Sequence, residues 1–267
     1  MQYLKTYLKT IKERGNVKLA ESISKTAEDI GNKYLKTFSF ISHEIGLLFG
    51  NVQSGKTGQM FGIMCKAADL GFPAFVLLTT DNVVLQQQTL DRVRSDLDGF
   101  CICGENDSRL FIDNSLMQPA IVVLKKNVRV LKLWANIFNS TGFMRGNPLF
   151  IVDDEADAAS LNTLVNRDRQ SSINKYLDAI KNGASSSMYL QVTGTPQAIL
   201  LQTMSSGWHP YFTYYFSPGI AYLGGDFFFP NSGKPECVEY LDEIQEPTRS
   251  VVVRHLAVSA QILASGG

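Results

Sequence analysis

Near the start of the chain, Gly50-Asn51-Val52-Gln53-Ser54-Gly55-Lys56-Thr57 fits the pattern G-x-x-x-x-G-K-[ST] at every fixed position. The chemistry of that spacing is anion binding. Glycines let the backbone turn so that successive N–H groups converge on phosphate oxygens, and the positive end of a following helix faces the same charge. Lys56 would reach the β- and γ-phosphates of a nucleoside triphosphate, and Thr57 would set its hydroxyl on Mg²⁺. Gly50, Asn51, Gln53, Ser54 and Gly55 complete the expected nucleotide-binding set.

Two further clusters extend that chemistry. Leu149-Phe150-Ile151-Val152-Asp153-Asp154-Glu155-Ala156-Asp157 reads as a buried strand ending in acids. In phosphate-loop enzymes an aspartate at the end of a neighbouring strand holds Mg²⁺ through water, and an adjacent carboxylate polarises the attacking water. Asp154 is assigned to Mg²⁺ and Glu155 to the general base, with Lys56 as the third catalytic residue. Moving the two acidic roles back by one, to Asp153 and Asp154, stays open. Thr193-Gly194-Thr195-Pro196 follows another apolar strand. At the carboxyl edge of a parallel sheet, Thr193 and Thr195 would bond Asp157 and couple the site to the γ-phosphate.

Such residues need a rigid frame, and the chain supplies the pattern for one. An apolar stretch (Ile45, Leu47, Leu48, Phe49) precedes the loop and a helix-compatible stretch (Gln59 to Leu70) follows it. Apolar strands are expected at Ala74–Thr79, Ala120–Leu124, Leu149–Asp153 and Met188–Val192. Helices are expected at Val83–Leu97, Val128–Asn139 and Ser171–Lys181. Continuous apolar strands separated by helices predict an α/β fold, a parallel sheet covered on both faces.

Ahead of it, Tyr3, Leu4, Tyr7, Leu8 and Ile11 recur at helical spacing with Lys5, Lys9 and Lys12 opposite; a second helix runs from Val17 to Leu35. The favoured reading is amphipathic helices covering the core; a basic docking face is the other. Beyond Gln197 the periodicity loosens. Trp208 to Pro230 is rich in aromatic residues, Gly and Pro, and an apolar helix is expected around Val252 to Leu263. The expected organisation is a helical N-terminal extension (1–43), a phosphate-loop domain (44–205) and an aromatic-rich segment with a closing helix (206–267).

Composition narrows the function classes. The 267 residues are 45% hydrophobic and 19% charged, with a formal net charge of zero, so nucleic-acid binding must come from a local patch. Four cysteines make no disulfide framework, and Cys101 and Cys103 are too close for a C-x-x-C knuckle. His43, His209 and His255 are scattered and read as ordinary surface or core residues. No apolar run approaches membrane-spanning length, and a cytoplasmic location is expected.

A phosphate loop, then D-E-A-D, then a [ST]-x-T-P turn resembles the motif order of the first motor domain of superfamily-two helicases. More specifically, the chain resembles the Z-one domain family, which carries an endonuclease label but is built as a helicase-like ATPase. Leu78-Thr79-Thr80, Gln88-Thr89 with Arg92, and Val123-Leu124-Lys125-Lys126-Asn127 carry the resemblance beside the three motifs. It covers about residues 45 to 265. It implies a RecA-like domain that hydrolyses ATP with Mg²⁺, in bacterial restriction, repair or anti-phage systems, with nuclease or methylase partners. In such motors, loops after the second and third strands hold a single strand by its phosphates. Thr80, Gln88, Arg92, Lys125 and Lys126 are the residues so implied, with DNA expected rather than RNA.

The chain departs from the family pattern in two respects. No second parallel α/β unit with its arginines is evident after residue 205, so the expectation is a truncated product that binds ATP but hydrolyses it slowly. No acid-and-lysine nuclease spacing surrounds Asp226, Glu236 or Glu239. A non-catalytic nucleotide-binding scaffold and a part of an ATP-dependent endonuclease are the alternative readings.

Overall fold

The apolar runs become strands because each supplies two faces to bury. Residues 2–51, 54–115, 117–141, 146–159, 167–200 and 208–217 are described by the computed structural model, all within the unit Met1–Ile220. Among them, seven strands form one sheet: β1 (His43–Phe49), β2 (Ala74–Thr79), β3 (Cys101–Cys103), β4 (Ala120–Lys125), β5 (Pro148–Asp154), β6 (Ser186–Thr193) and β7 (Phe212–Tyr215). The order is β3-β4-β2-β5-β6-β1-β7 and every pair is parallel. The helices are α1 (Tyr3–Glu13), α2 (Val17–Ile30), α3 (Lys56–Asp69), α4 (Val83–Asp96), α5 (Ser108–Asn114), α6 (Val128–Thr141), α7 (Ala156–Ala159), α8 (Arg167–Gly183) and α9 (Gln197–Leu200). A π-helical turn, Gly31–Leu35, extends α2. This is an α/β fold of RecA-like type with a helical segment ahead of it.

Side chains alternate across the pleat, so each strand feeds two cores. Phe75, Leu77, Ile121, Val123, Phe150 and Val152 share one core with α1, α2, α3 and α4. Val76, Leu78, Val122, Leu124, Leu149 and Ile151 share the other with Leu131, Trp134 and Phe138 of α6 and Ile173, Leu177 and Ile180 of α8. Right-handed crossovers fix this division. The chain steps one way from β1 to β2 to β3, then back from β4 to β5 to β6. Consequently β6 lies between β1 and β5, and the carboxyl ends of these three strands sit side by side.

The N-terminal helices cover α3. Leu4, Tyr7 and Ile11 of α1 and Ala20, Ile23, Ala27 and Ile30 of α2 are buried, while Lys5, Lys9 and Lys12 are exposed. Asp69, at the end of α3, accepts the N–H groups of Tyr3 and Leu4 at 2.7 and 3.1 Å, supplying α1 with the cap its own sequence lacks.

Among the described residues, five elements were not anticipated: β3, α5, α7, α9 and β7. Each is short, and β3 and β7 are the sheet's two edges. β7 comes from the aromatic-rich segment and pairs with β1 in parallel, Gly46 opposite Phe212. A Cβ on Gly46 would collide with the Phe212 ring, which stacks on Tyr34 at 3.9 Å. Four residues on, Gly50 makes the same room for Phe216. The helix expected around Val252 to Leu263 lies outside the described residues. No helix among the described residues is long and apolar enough to cross a membrane.

Candidate active site

The loop after β1 leaves the sheet beside β6, where the Gly50 N–H bonds the Thr193 carbonyl at 3.4 Å. Gly55 closes the turn into α3 with φ at +88°, a left-handed conformation that favours glycine. Its carbonyl accepts the N–H groups of Gly58 and Gln59 at 3.0 and 3.4 Å. Lys56 and Thr57 therefore occupy the first turn of α3, both half-buried. The Asn51 side-chain oxygen accepts the Tyr215 hydroxyl at 3.4 Å, tying the loop to β7. The Ser54 hydroxyl is buried with no hydrogen-bond partner among the described residues. Buried polar groups are nearly always satisfied, so an orphan in this loop fits a polar guest. Gln53 lies outside the described residues.

The acidic turn after β5 separates its three carboxylates. Asp153 is fully buried, with Lys126 Nζ at 2.8 Å and the Tyr189 hydroxyl donating to it at 2.7 Å. Asp154 and Glu155 point the other way. Together with Thr57 they line a cavity of about 280 Å³, whose far wall is Thr79, Thr80, Leu85, Gln88, Thr89 and Arg92. Glu155 holds a left-handed backbone, φ +54°, with its N–H on the Asp154 carboxylate at 3.1 Å. Burial and the neighbouring Glu155 push the Asp154 carboxyl up to about 6, Asp153 adds to this, and Lys126 and Lys56 oppose it. Lys56 thus reaches this acid electrostatically from the adjoining motif.

Asp157 joins the third motif. The hydroxyls of Thr193 (2.6 Å) and Thr195 both donate to its carboxylate, and Thr195 N–H bonds the Thr193 hydroxyl at 2.9 Å. The T-G-T-P turn and the end of the acidic motif form one hydrogen-bonded unit across β5 and β6.

The oxygen donors fit Mg²⁺. Among the described residues no three His, Cys, Asp or Glu side chains converge as an all-protein metal cage. Mg²⁺ needs none, because it keeps waters and takes one or two protein oxygens beside substrate phosphates. The Thr57 hydroxyl and the Asp154 carboxylate supply that chemistry, and the Thr80 hydroxyl, without a hydrogen-bond partner among the described residues, belongs to a residue of the same cavity.

Residues expected at nucleic acid divide into three situations. Thr80, Gln88 and Arg92 line the cavity shared with Thr57, Asp154 and Glu155 rather than a separate surface. Arg92 is held loosely, its Nε 3.6 Å from Asp96, whose closer partner is Arg14 at 2.6 Å. Lys125 lies 3.6 Å from Glu105, which also accepts its backbone N–H at 2.9 Å. Lys126 corrects the expectation. Its ammonium is fully buried: it donates to the Asp154 carbonyl (2.9 Å) and the Glu155 carbonyl (2.8 Å) and forms an ion pair with Asp153 at 2.8 Å. Buried there, it does not meet a phosphate backbone.

A larger groove of about 910 Å³ lies along α1, lined by Lys5, Lys9, Lys12 and Lys66 with Glu13, Glu28 and Asp69. It mixes both signs of charge and contains no residue of the three motifs.

No protein-family model and no curated protein matches the chain. Among solved structures it is similar to the Hef helicase domain of Pyrococcus furiosus, at 17% identity and a TM-score of 0.45, over 72% of this chain and 37% of that one. It is similar to the ORC2 protein of Aeropyrum pernix, at 14% identity and a TM-score of 0.38, over 72% and 47%. B204, the DNA-packaging ATPase of Sulfolobus Turreted Icosahedral Virus, gives 14% identity and a TM-score of 0.36, over 57% and 67%. The chain thus spans little more than a third of the Hef helicase domain structure.

Proposed function

We propose that the chain is an ATP-binding, nucleic-acid-dependent ATPase module of helicase or translocase type. One observation carries the reading: Thr57 from the loop and Asp154 and Glu155 from the acidic turn, remote in sequence, line a single cavity. Bound Mg²⁺ would sit at Thr57 and Asp154 and offset phosphate charge. Lys56 neutralises the β- and γ-phosphates from the first turn of α3. Glu155 accepts the proton of the attacking water as its oxygen bonds the γ-phosphorus and the bond to the bridging oxygen breaks, leaving ADP and phosphate. Asp157, held by Thr193 and Thr195, passes the state of that phosphate to β6.

The finer assignment follows the resemblance stated above. It is a Z-one-type domain of a cytoplasmic bacterial restriction, repair or anti-phage system, acting on DNA beside nuclease or methylase partners. Thr80, Gln88, Arg92 and Lys125 are its candidate contacts to a single strand. Equilibrium binding of a fluorescent ATP analogue with Mg²⁺, and hydrolysis with and without single-stranded DNA, test the two halves separately. Lys56→Ala is expected to weaken binding by about 10-fold or more, the loss of one charge-assisted phosphate contact worth ~1.5–3 kcal/mol. Unchanged affinity defeats the loop assignment. Binding without hydrolysis, DNA present, leaves a nucleotide-ordered scaffold instead.

A further inference from the structure

Lys126 belongs to none of the three motifs, yet it touches the acidic motif at three consecutive residues. Its ammonium is fully buried, 2.8 Å from the Asp153 carboxylate, and donates to the carbonyls of Asp154 and Glu155 at 2.9 and 2.8 Å. The second Asp153 oxygen is taken by the Tyr189 hydroxyl. Those two carbonyls belong to the residues whose side chains enter the cavity with Thr57. The turn is therefore gripped from behind while its carboxylates face forward.

Two features say what the grip is for. Glu155 carries a left-handed backbone, which a residue with a Cβ keeps only where its surroundings over-determine it. A buried ion pair is a poor route to stability, since an apolar pair of similar volume serves as well or better. Neutralising Asp153 also needs only one of the three donors.

We propose that Lys126 is a positioning residue: its ammonium fixes the Asp154–Glu155 turn so that the Asp154 carboxylate is presented to the cation site beside Thr57. This rests on the nucleotide reading above, so the wild-type protein is measured first. ADP affinity is determined with Mg²⁺ and with EDTA, and the ratio of the two is the readout.

Lys126→Met alone leaves Asp153 buried and unpaired, and the informative variant is Lys126→Met/Asp153→Asn, which removes both charges. It is expected to melt cooperatively and bind ADP in EDTA as the wild type does. Its gain from Mg²⁺ should fall by about 10-fold or more, the usual loss when a residue supporting a metal ligand is removed. Asp153→Asn alone, which keeps the ammonium and both carbonyl bonds, is expected to retain the gain. A double variant with the full Mg²⁺ gain overturns the proposal, because Lys126 then serves only to neutralise Asp153. Should the double variant fail to melt cooperatively, Lys126→Arg decides. It keeps the charge, but a planar fork does not reproduce two carbonyl bonds and an ion pair made by one nitrogen; an unchanged Mg²⁺ gain again overturns the role. A wild type that binds no ADP at all sinks the nucleotide reading, and this role with it.

Discussion

Asp154 keeps its proton more tightly than a free carboxyl because it is half-buried behind Glu155, with Asp153 adjacent and only partial relief from Lys126 and Lys56. Its value of about 6 stands above the 3.8 of an exposed aspartate, so between those two pH values the native protein binds more protons than the unfolded chain. That contribution to stability is complete below about pH 4 and is lost as pH rises through 6, on the order of 2–3 kcal/mol. Asp154→Asn removes the penalty that the ionised carboxylate imposes at neutral pH. In EDTA without nucleotide, the variant is expected to melt about 4–10 °C above wild type at pH 8, with the gap closing toward pH 4. The same substitution should abolish Mg²⁺-dependent nucleotide affinity, a trade of function for stability. Equal melting temperatures at pH 8 would refute the burial account.

At the scale of elements, β7 is held by what β1 lacks. Gly46 and Gly50 leave room on one face of β1 and its loop, and Phe212 and Phe216 fill it. Gly46→Ala drives a methyl into the Phe212 ring, and overpacking of this kind costs about 1–3 kcal/mol. Phe212→Leu in the same chain should recover part of that loss, and a purely additive double variant would show that the two residues do not share the space. This contact also explains what the sequence made legible. β2, β4, β5 and β6 are buried on both faces; the first three read as apolar runs, and β6 as a shorter one interrupted by Gln191. β7 buries one side of four residues, Phe-Thr-Tyr-Tyr, too little to set a period. Its signal sat elsewhere, in a glycine inside the apolar run of β1, which marks a close backbone approach. Lys126 was readable by parity. Val122, Leu124 and Lys126 share one face of the sheet with Leu149, Ile151 and Asp153, so the lysine and the acid were bound for the same side. Nothing local in the sequence announces that β2 and β5 are neighbours, and without that the pair stays unmatched.

At the scale of the whole molecule, zero net charge removes any long-range attraction for nucleic acid, so affinity rests on the few cations free to meet phosphates. Among the candidate contacts at the carboxyl edge that number is small. Lys126 is buried, Lys125 is shared with Glu105, and Arg92 is only loosely held by Asp96. Two or three phosphates neutralised on a single strand give a slope of log K against log[salt] of about −1.4 to −2. Fluorescence anisotropy with a labelled single-stranded oligonucleotide between 50 and 200 mM salt, concentrations over which such slopes are measured, reads this directly. Arg92→Gln should weaken binding and flatten the slope by about 0.7, one phosphate's share. A slope steeper than about −4 needs more cations than these candidate contacts supply. The strand would then run along α1, where Lys5, Lys9 and Lys12 stand exposed. Lys9→Gln, not Arg92→Gln, would in that case reduce the slope, and nucleic acid would bind away from the cavity that holds Thr57, Asp154 and Glu155.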